Sequence, residues 1–148
     1  MNKAVFLLSF ILLVCSSTAW SEQSETFGNY TVHYNAFTTD NLTPDVAGQY
    51  NITRSKSRVL LNITVLKNDE TESLLGTPVK AKITGTVKNL SEQLRELEIR
   101  EIMEHEATYY IAVTPISHEE VLIFTLDITP EGTEKTHQLS FQQKFFIN

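Results

Sequence analysis

PVKAKITGTVKNL (residues 78–90) is the stretch that decides the fold. Val79, Ala81, Ile83, Gly85 and Val87 fall on one side of an extended chain, and Lys80, Lys82, Thr84, Thr86 and Lys88 on the other. Strand side chains alternate between faces with a period of two, so this reads as a strand with one face in a core and one in water. An amphipathic helix would instead need apolar residues every three or four positions. The same period continues outward on both sides. Val59, Leu61, Ile63 and Val65 alternate with Leu60, Asn62, Thr64 and Leu66, which predicts a more central strand because leucines occupy the second face too. Tyr30, Val32, Tyr34 and Ala36 alternate with Thr31, His33, Asn35 and Phe37. Further strands are expected over residues 94–103, 108–115, 120–129 and 136–147. Leu122, Phe124, Leu126 and Ile128 form the core face of the third of these, and Leu139, Phe141 and Phe145 that of the last.

Turn residues separate these runs: 67–70 with Gly76-Thr77-Pro78, Glu104-His105-Glu106, Ser117-His118, and Thr129-Pro130-Glu131-Gly132. About seven strands at this spacing predict an all-β, antiparallel two-sheet sandwich, immunoglobulin-like, with a small barrel as the competing architecture. One segment departs from the pattern. Thr43-Pro44-Asp45 places a hydroxyl at the N-cap, proline at N1 and an acid in the first turn, which predicts a helix of about two turns ending near Tyr50. It is expected to plug an open end of the sandwich. The flexible pieces expected are 22–26 and 68–75.

Residues 4–14 are apolar except for Ser9, Lys3 is the single charge before Glu22, and small residues follow. A bilayer span needs about 20 apolar residues. The run is too short for one and reads as a secretory signal peptide over residues 1–21, ahead of a sandwich domain over 22–148. Cleavage after Ala19 or after Ser21 satisfies the need for small residues. Cys15 admits a lipid-anchored alternative, but Val14 precedes it where such signals carry Gly, Ala or Ser. Removing 1–21 leaves a body without cysteine, which excludes disulfides, thiol catalysis and thiolate metal sites. A body of roughly 125 residues still buries about two-thirds of its unfolded surface, enough for one core. The formal charge of −6 becomes −7 when Lys3 is lost, which argues against nucleic acid as a partner. No second apolar run approaches spanning length.

Across HYNAF (33–37), LTPDVAGQYNITRSKSRVLLNITVLK (42–67), RELEIREI (95–102), YYIA (109–112) and LSFQQKFF (139–146), the chain resembles the bacterial family called domain of unknown function 4426. The resemblance covers nearly the whole body. It implies a signal-bearing protein of Gram-negative bacteria, hence a periplasmic one. It brings no assigned activity and no catalytic residues.

Several residue groups are candidates for chemistry. Arg54-Ser55-Lys56-Ser57-Arg58 gathers three of the eleven basic side chains that remain without Lys3. On an extended segment Arg54, Lys56 and Arg58 would share one side and could face an anion, with Tyr50 just upstream. An edge segment with solvated cations is the plainer account. With His33 and Tyr34, these residues make the candidate binding surface. His33, His105, His118 and His137 show no i, i+2 or i, i+4 pairing. A cation site at His105 and His118 would need their two turns at the same end of the sandwich. Glu92, Glu96, Glu98, Glu101, Glu104 and Glu106, interleaved with Arg95 and Arg100, read as a solvated outer face rather than a catalytic carboxylate pair. Asn-x-Ser/Thr triplets at Asn29, Asn41, Asn51, Asn62 and Asn89 suit turns and outward strand positions. No serine-hydrolase elbow occurs.

These readings lead to a non-enzymatic protein-interaction or structural module with no cofactor and no metal, whose expected partner is another envelope protein. The alternative is a small-ligand or metal-ion carrier with a pocket at one end of the sandwich, near His33, Tyr50 and Arg54. Partner identity and oligomeric state do not follow from the residues.

Overall fold

The computed structural model describes residues 23–68 and 76–147. The expected leader, 1–21, and residues 69–75 of the expected loop lie outside the described residues. Among the described residues ten strands run in chain order: β1 (Gln23–Phe27), β2 (Tyr30–Thr38), β3 (Arg58–Lys67), β4 (Thr77–Pro78), β5 (Ala81–Asn89), β6 (Leu94–Glu96), β7 (Arg100–Glu104), β8 (Ala107–Pro115), β9 (Val121–Pro130) and β10 (His137–Lys144). A 3₁₀ turn (Thr39–Asn41) and helix α1 (Pro44–Gln49) connect β2 to β3. All pairings are antiparallel. The first sheet has the order β1-β2-β3-β8-β7 with β4 on the end of β3, and the second the order β10-β9-β5-β6. The chain is therefore a two-sheet sandwich.

The alternation seen in the sequence sets what lies between the sheets. Val32, Val59, Leu61, Ile63 and Val65 from the first sheet and Val87, Leu122, Phe124, Leu126, Ile128 and Leu139 from the second are almost fully buried. Burial of each such side chain contributes about 1.5–3 kcal/mol. Phe124 stacks on Phe141 at 4.9 Å, and Phe141 meets Tyr34 of the opposite sheet at 4.5 Å. Gly85 has a steric reason to lack a side chain. A Cβ there would sit 2.5 Å from Leu126 Cδ2 and 3.0 Å from the carbonyl oxygen of Thr125.

Two stretches expected to be single strands each serve both sheets. In 78–90, Thr77 and Pro78 pair with Lys67 and Leu66, the Val79 N–H still donates to Val65 O at 3.0 Å, and pairing with β9 starts at Ala81. In 94–103, β6 pairs with β5 while β7 pairs with β8. Leu97 and Ile99, between them, pack half-buried against the core. Both sheets face one interior, so a chain can change sheets and keep its alternation. The period reports which face is inward and says nothing about sheet membership.

β1 occupies most of the segment expected to be flexible. Its residues are largely exposed and polar, and its pairing with β2 through the Gly28-Asn29 turn supplies what no apolar pattern announces.

The helix starts where expected, with Thr43 Oγ1 accepting from the Val46 N–H at 3.4 Å and Pro44 in the first turn. Its position differs from the expectation. It lies over the outer face of the first sheet instead of plugging an end, because Leu60 and Ile111 on that face need cover. With Ile52 they form a second buried cluster, flanked by Phe37, Leu42, Tyr50, Ile102 and Val113.

Candidate functional site

The fold does not bring the candidate surface together. His33 and Tyr34 are consecutive in β2 and so point to opposite faces. Tyr34 is buried against Phe141, and burial raises its pKa above the usual value, with the Glu25 carboxylate adding to the effect. His33 lies on the outer face, opposite Thr64. Tyr50 ends α1 and gives its hydroxyl hydrogen to Glu104 Oε1. Arg54, Lys56 and Arg58 are exposed, but a turn at Lys56-Ser57 interrupts the extended run that would align them. The Ser57 N–H donates to Ser55 Oγ at 3.1 Å, and Arg54 Nη2 donates to the Asp40 carbonyl at 2.8 Å. Arg54 thus braces the 3₁₀ turn. Beneath it Thr39, fully buried, donates its hydroxyl to Thr53 O at 2.9 Å and Ser55 O at 3.1 Å and accepts from the Ser55 N–H at 2.9 Å.

The histidines also stay apart. His105 is in the turn before β8 and His118 in the turn after it, so a nine-residue strand, about 30 Å, separates the two ends. His118 Nδ1 accepts the Ile147 N–H at 3.2 Å. His137 stacks on Phe27 at 3.6 Å. Burial holds its pKa below the usual value, Lys135 acts in the same direction and Glu25 opposes. Among the described residues no group of three or more His, Cys, Asp or Glu is placed to hold a metal ion. The acidic run is exposed at Glu92, Glu96, Glu98, Glu101 and Glu106, with Lys88–Glu92 at 2.9 Å and Lys80–Glu101 at 3.4 Å as surface ion pairs.

Two of the concave features adjoin β2. The first is at the edge of the first sheet. β1 covers β2 only from Tyr30 to Tyr34, where Gln23 is its last described partner. Hydrogen-bonding groups alternate along an antiparallel strand, so Ala36 and Thr38 continue the set turned towards the β1 side. No described strand meets them. Two side-chain amides occupy their carbonyls instead: Gln143 Nε2 on Ala36 O at 2.9 Å and Asn41 Nδ2 on Thr38 O at 3.2 Å. Beside this edge runs a groove of about 330 Å³ lined by Tyr34, Ala36, Phe141, Gln143, Phe145 and Phe146. Phe146 is 56% exposed. Asn35, on the same groove, has a buried Oδ1 with no hydrogen-bond partner. The residues of this site escape a reading by period, although the consecutive Phe145-Phe146 pair was a usable signal, since one of two adjacent aromatics at a strand end must face outward.

The second feature is a cavity of about 210 Å³ between α1 and the outer face of the first sheet. It is lined by the second apolar cluster together with Val46, Tyr109, Asn62 and Glu104. Nothing in the sequence separates Glu104 from the other acids around it.

Residues 24–148 match the family described as Domain of unknown function (DUF4426). A crystal structure of a DUF4426 family protein from Pseudomonas aeruginosa is 34% identical, with a TM-score of 0.72 over 86% of this chain and 96% of that one. FetP from a uropathogenic Escherichia coli strain, recombinantly expressed in the periplasm of E. coli, is 12% identical, with a TM-score of 0.60 over 84% of this chain and 93% of its own. A copper-bound variant of FetP gives 12% identity and a TM-score of 0.58 over 84% and 94%. At this identity the likeness to FetP is one of fold alone. No curated protein matches the chain.

Proposed function

The chain belongs to the DUF4426 family, and from that premise we propose a non-enzymatic interaction module of the bacterial envelope, exported by the leader expected over 1–21, that takes an extended segment of another envelope protein along the edge of β2 that no described strand covers. The observation that carries this reading is the pair of amides from Gln143 and Asn41 on the carbonyls where an added strand would donate. Strand addition draws affinity from main-chain hydrogen bonds and specificity from pockets for alternate side chains. The aromatic groove next to Ala36 supplies such a pocket, and the two amides are side chains that can swing away.

A photo-crosslinker at Phe146 in intact cells tests this, with Lys82 on the exposed face of β5 as the control position. The expected result is an adduct at 146, mapped to one segment of one envelope protein, that is lost in Ala36→Pro. That change removes an outward N–H and leaves the β3 ladder intact. Labelling at 146 no greater than at 82, or an adduct that survives Ala36→Pro in a folded protein, overturns the reading.

A second reading, a copper carrier, draws on the soft donors Met103 and His105. They line one open cavity of about 460 Å³ with Glu106 and Glu131, and Met103 is 64% exposed. Thioether and imidazole both suit copper, and the copper-bound FetP shares the fold. Calorimetry with Cu(I) should give a binding heat that disappears when Met103 and His105 are both changed to Ala; no heat, or heat retained by that variant, removes this reading.

A further inference from the structure

We propose that the cavity between α1 and the outer face of the first sheet is a site for a small organic amine, its apolar body against the sheet and its ammonium on Glu104. This site is on the outer face of the sheet and does not depend on the reading of the β2 edge. Three observations carry it.

The first is the division of the lining. Phe37, Leu60, Ile52, Ile102 and Ile111 give an apolar floor and walls; Glu104 is the one charged residue of the lining, and Asn62, Tyr50 and Tyr109 are its neutral polar ones. Recognition sites for small molecules have this composition: mostly apolar surface with a few placed polar groups.

The second is the state of the Glu104 carboxylate. The Tyr50 hydroxyl and Gln49 Nε2, the latter at 2.9 Å, both donate to Oε1. Oε2 takes neither bond. The carboxylate is therefore held in position by one oxygen and presents the other, an acceptor suited to N⁺–H donors. Tyr50 and Gln49 come from the end of α1, so the same contacts that seat the helix also orient the carboxylate.

The third is size. An apolar cavity of about 150 Å³ accommodates benzene, so about 210 Å³ accommodates roughly eight heavy atoms. An aromatic ring with a one-carbon arm and an amine fills that space. The chain's formal charge of −6 raises the local concentration of cations and disfavours anions of the same shape.

The test uses benzylamine as the probe, with toluene and benzoate as neutral and anionic counterparts, followed by NMR of the Ile and Leu methyl groups in the folded protein. Benzylamine should saturate with a millimolar dissociation constant and shift the Leu60, Ile102 and Ile111 methyls. Loss of one charge-assisted hydrogen bond corresponds to about tenfold in affinity, so toluene and benzoate should bind at least that much more weakly. Glu104→Gln keeps an acceptor for Tyr50 and should weaken benzylamine by about the same factor while leaving toluene unchanged. Val46 is 38% exposed at the rim, so Val46→Trp closes the cavity without touching the inter-sheet core and should abolish the shifts. Toluene binding as tightly as benzylamine, wild-type affinity in Glu104→Gln, shifts that persist in Val46→Trp, or no saturation by about 10 mM would each overturn the proposal.

Discussion

The space between the two sheets and the patch beneath α1 are built from the same kinds of residue, yet only the first is sealed. Phe124, Leu126, Ile128, Leu61 and Ile63 reach essentially no solvent, because each sheet presents a full row of inward side chains to the other. On the outer face of the first sheet, the described cover over Leu60 and Ile111 is a six-residue helix with Ile52 and the partly buried Leu42 and Tyr50 that flank it. A helix that short lays one turn of apolar side chains on a face several strands wide. The remainder stays a cavity with a carboxylate at its rim. Two complete apolar layers give stability. One layer with a partial lid gives a place where something else can bind.

The largest effect that would break or sharpen this contrast is a core truncation. Phe124→Ala should cost about 3–5 kcal/mol, against about 2 kcal/mol for Ile111→Ala, whose neighbours already border open space. Urea unfolding with an unchanged slope would show it, and equal losses would mean that the two regions are packed alike. Gly85→Ala should come next, at about 1–3 kcal/mol, since the new methyl must displace Leu126 and crowd the Thr125 carbonyl. Thr39→Val, which removes a buried hydroxyl from three backbone hydrogen bonds, should cost about 1–3 kcal/mol and speed hydrogen exchange at the Ser55 amide. A silent Thr39→Val would show that the 54–58 segment is held by other contacts.

The smallest effects are those of pH. Tyr34 and Tyr110 have raised pKa values, mainly through burial; at Tyr110 the Ala81 N–H opposes the rise and Glu101 adds to it. The unfolded chain then loses its phenolic protons first, so stability is full below about pH 10 and declines as pH climbs past it. His137 shifts the other way. Its depressed folded-state value means the unfolded chain protonates first, so stability present above about pH 6.5 declines as pH falls below it. Melting temperature against pH should show both limbs, with Tyr110→Phe flattening the alkaline one and His137→Phe the acidic one.

Much of the interior was legible in the chain. The inward row Val79, Ala81, Ile83, Gly85 and Val87 and the inward row Leu122, Phe124, Leu126 and Ile128 pack where their spacing placed them, and Thr43-Pro44 opens the helix. The binding features were far less legible. His33 and Tyr34 are consecutive in one strand and therefore cannot share a face. The alignment of Arg54, Lys56 and Arg58 fails at a two-residue turn set by Ser55 and held from below by Thr39, a residue with no motif to mark it. Gln143 meets the edge of β2 from a distant part of the chain, while Asn41 reaches back to it from the turn that follows, and Glu104 acquires its partners only when α1 folds back over the sheet.

By itself the sequence determined which side chains turn inward and where the one helix begins, because these depend on torsions and spacing among near neighbours. Only the tertiary structure decided which sheet each segment joins, where β2 runs beyond its described partner β1, and how much of the outer face α1 covers. Those outcomes come from pairing between segments tens of residues apart. There each contact weighs backbone hydrogen bonds and buried area against the alternatives offered by every other strand, and no local pattern records the result.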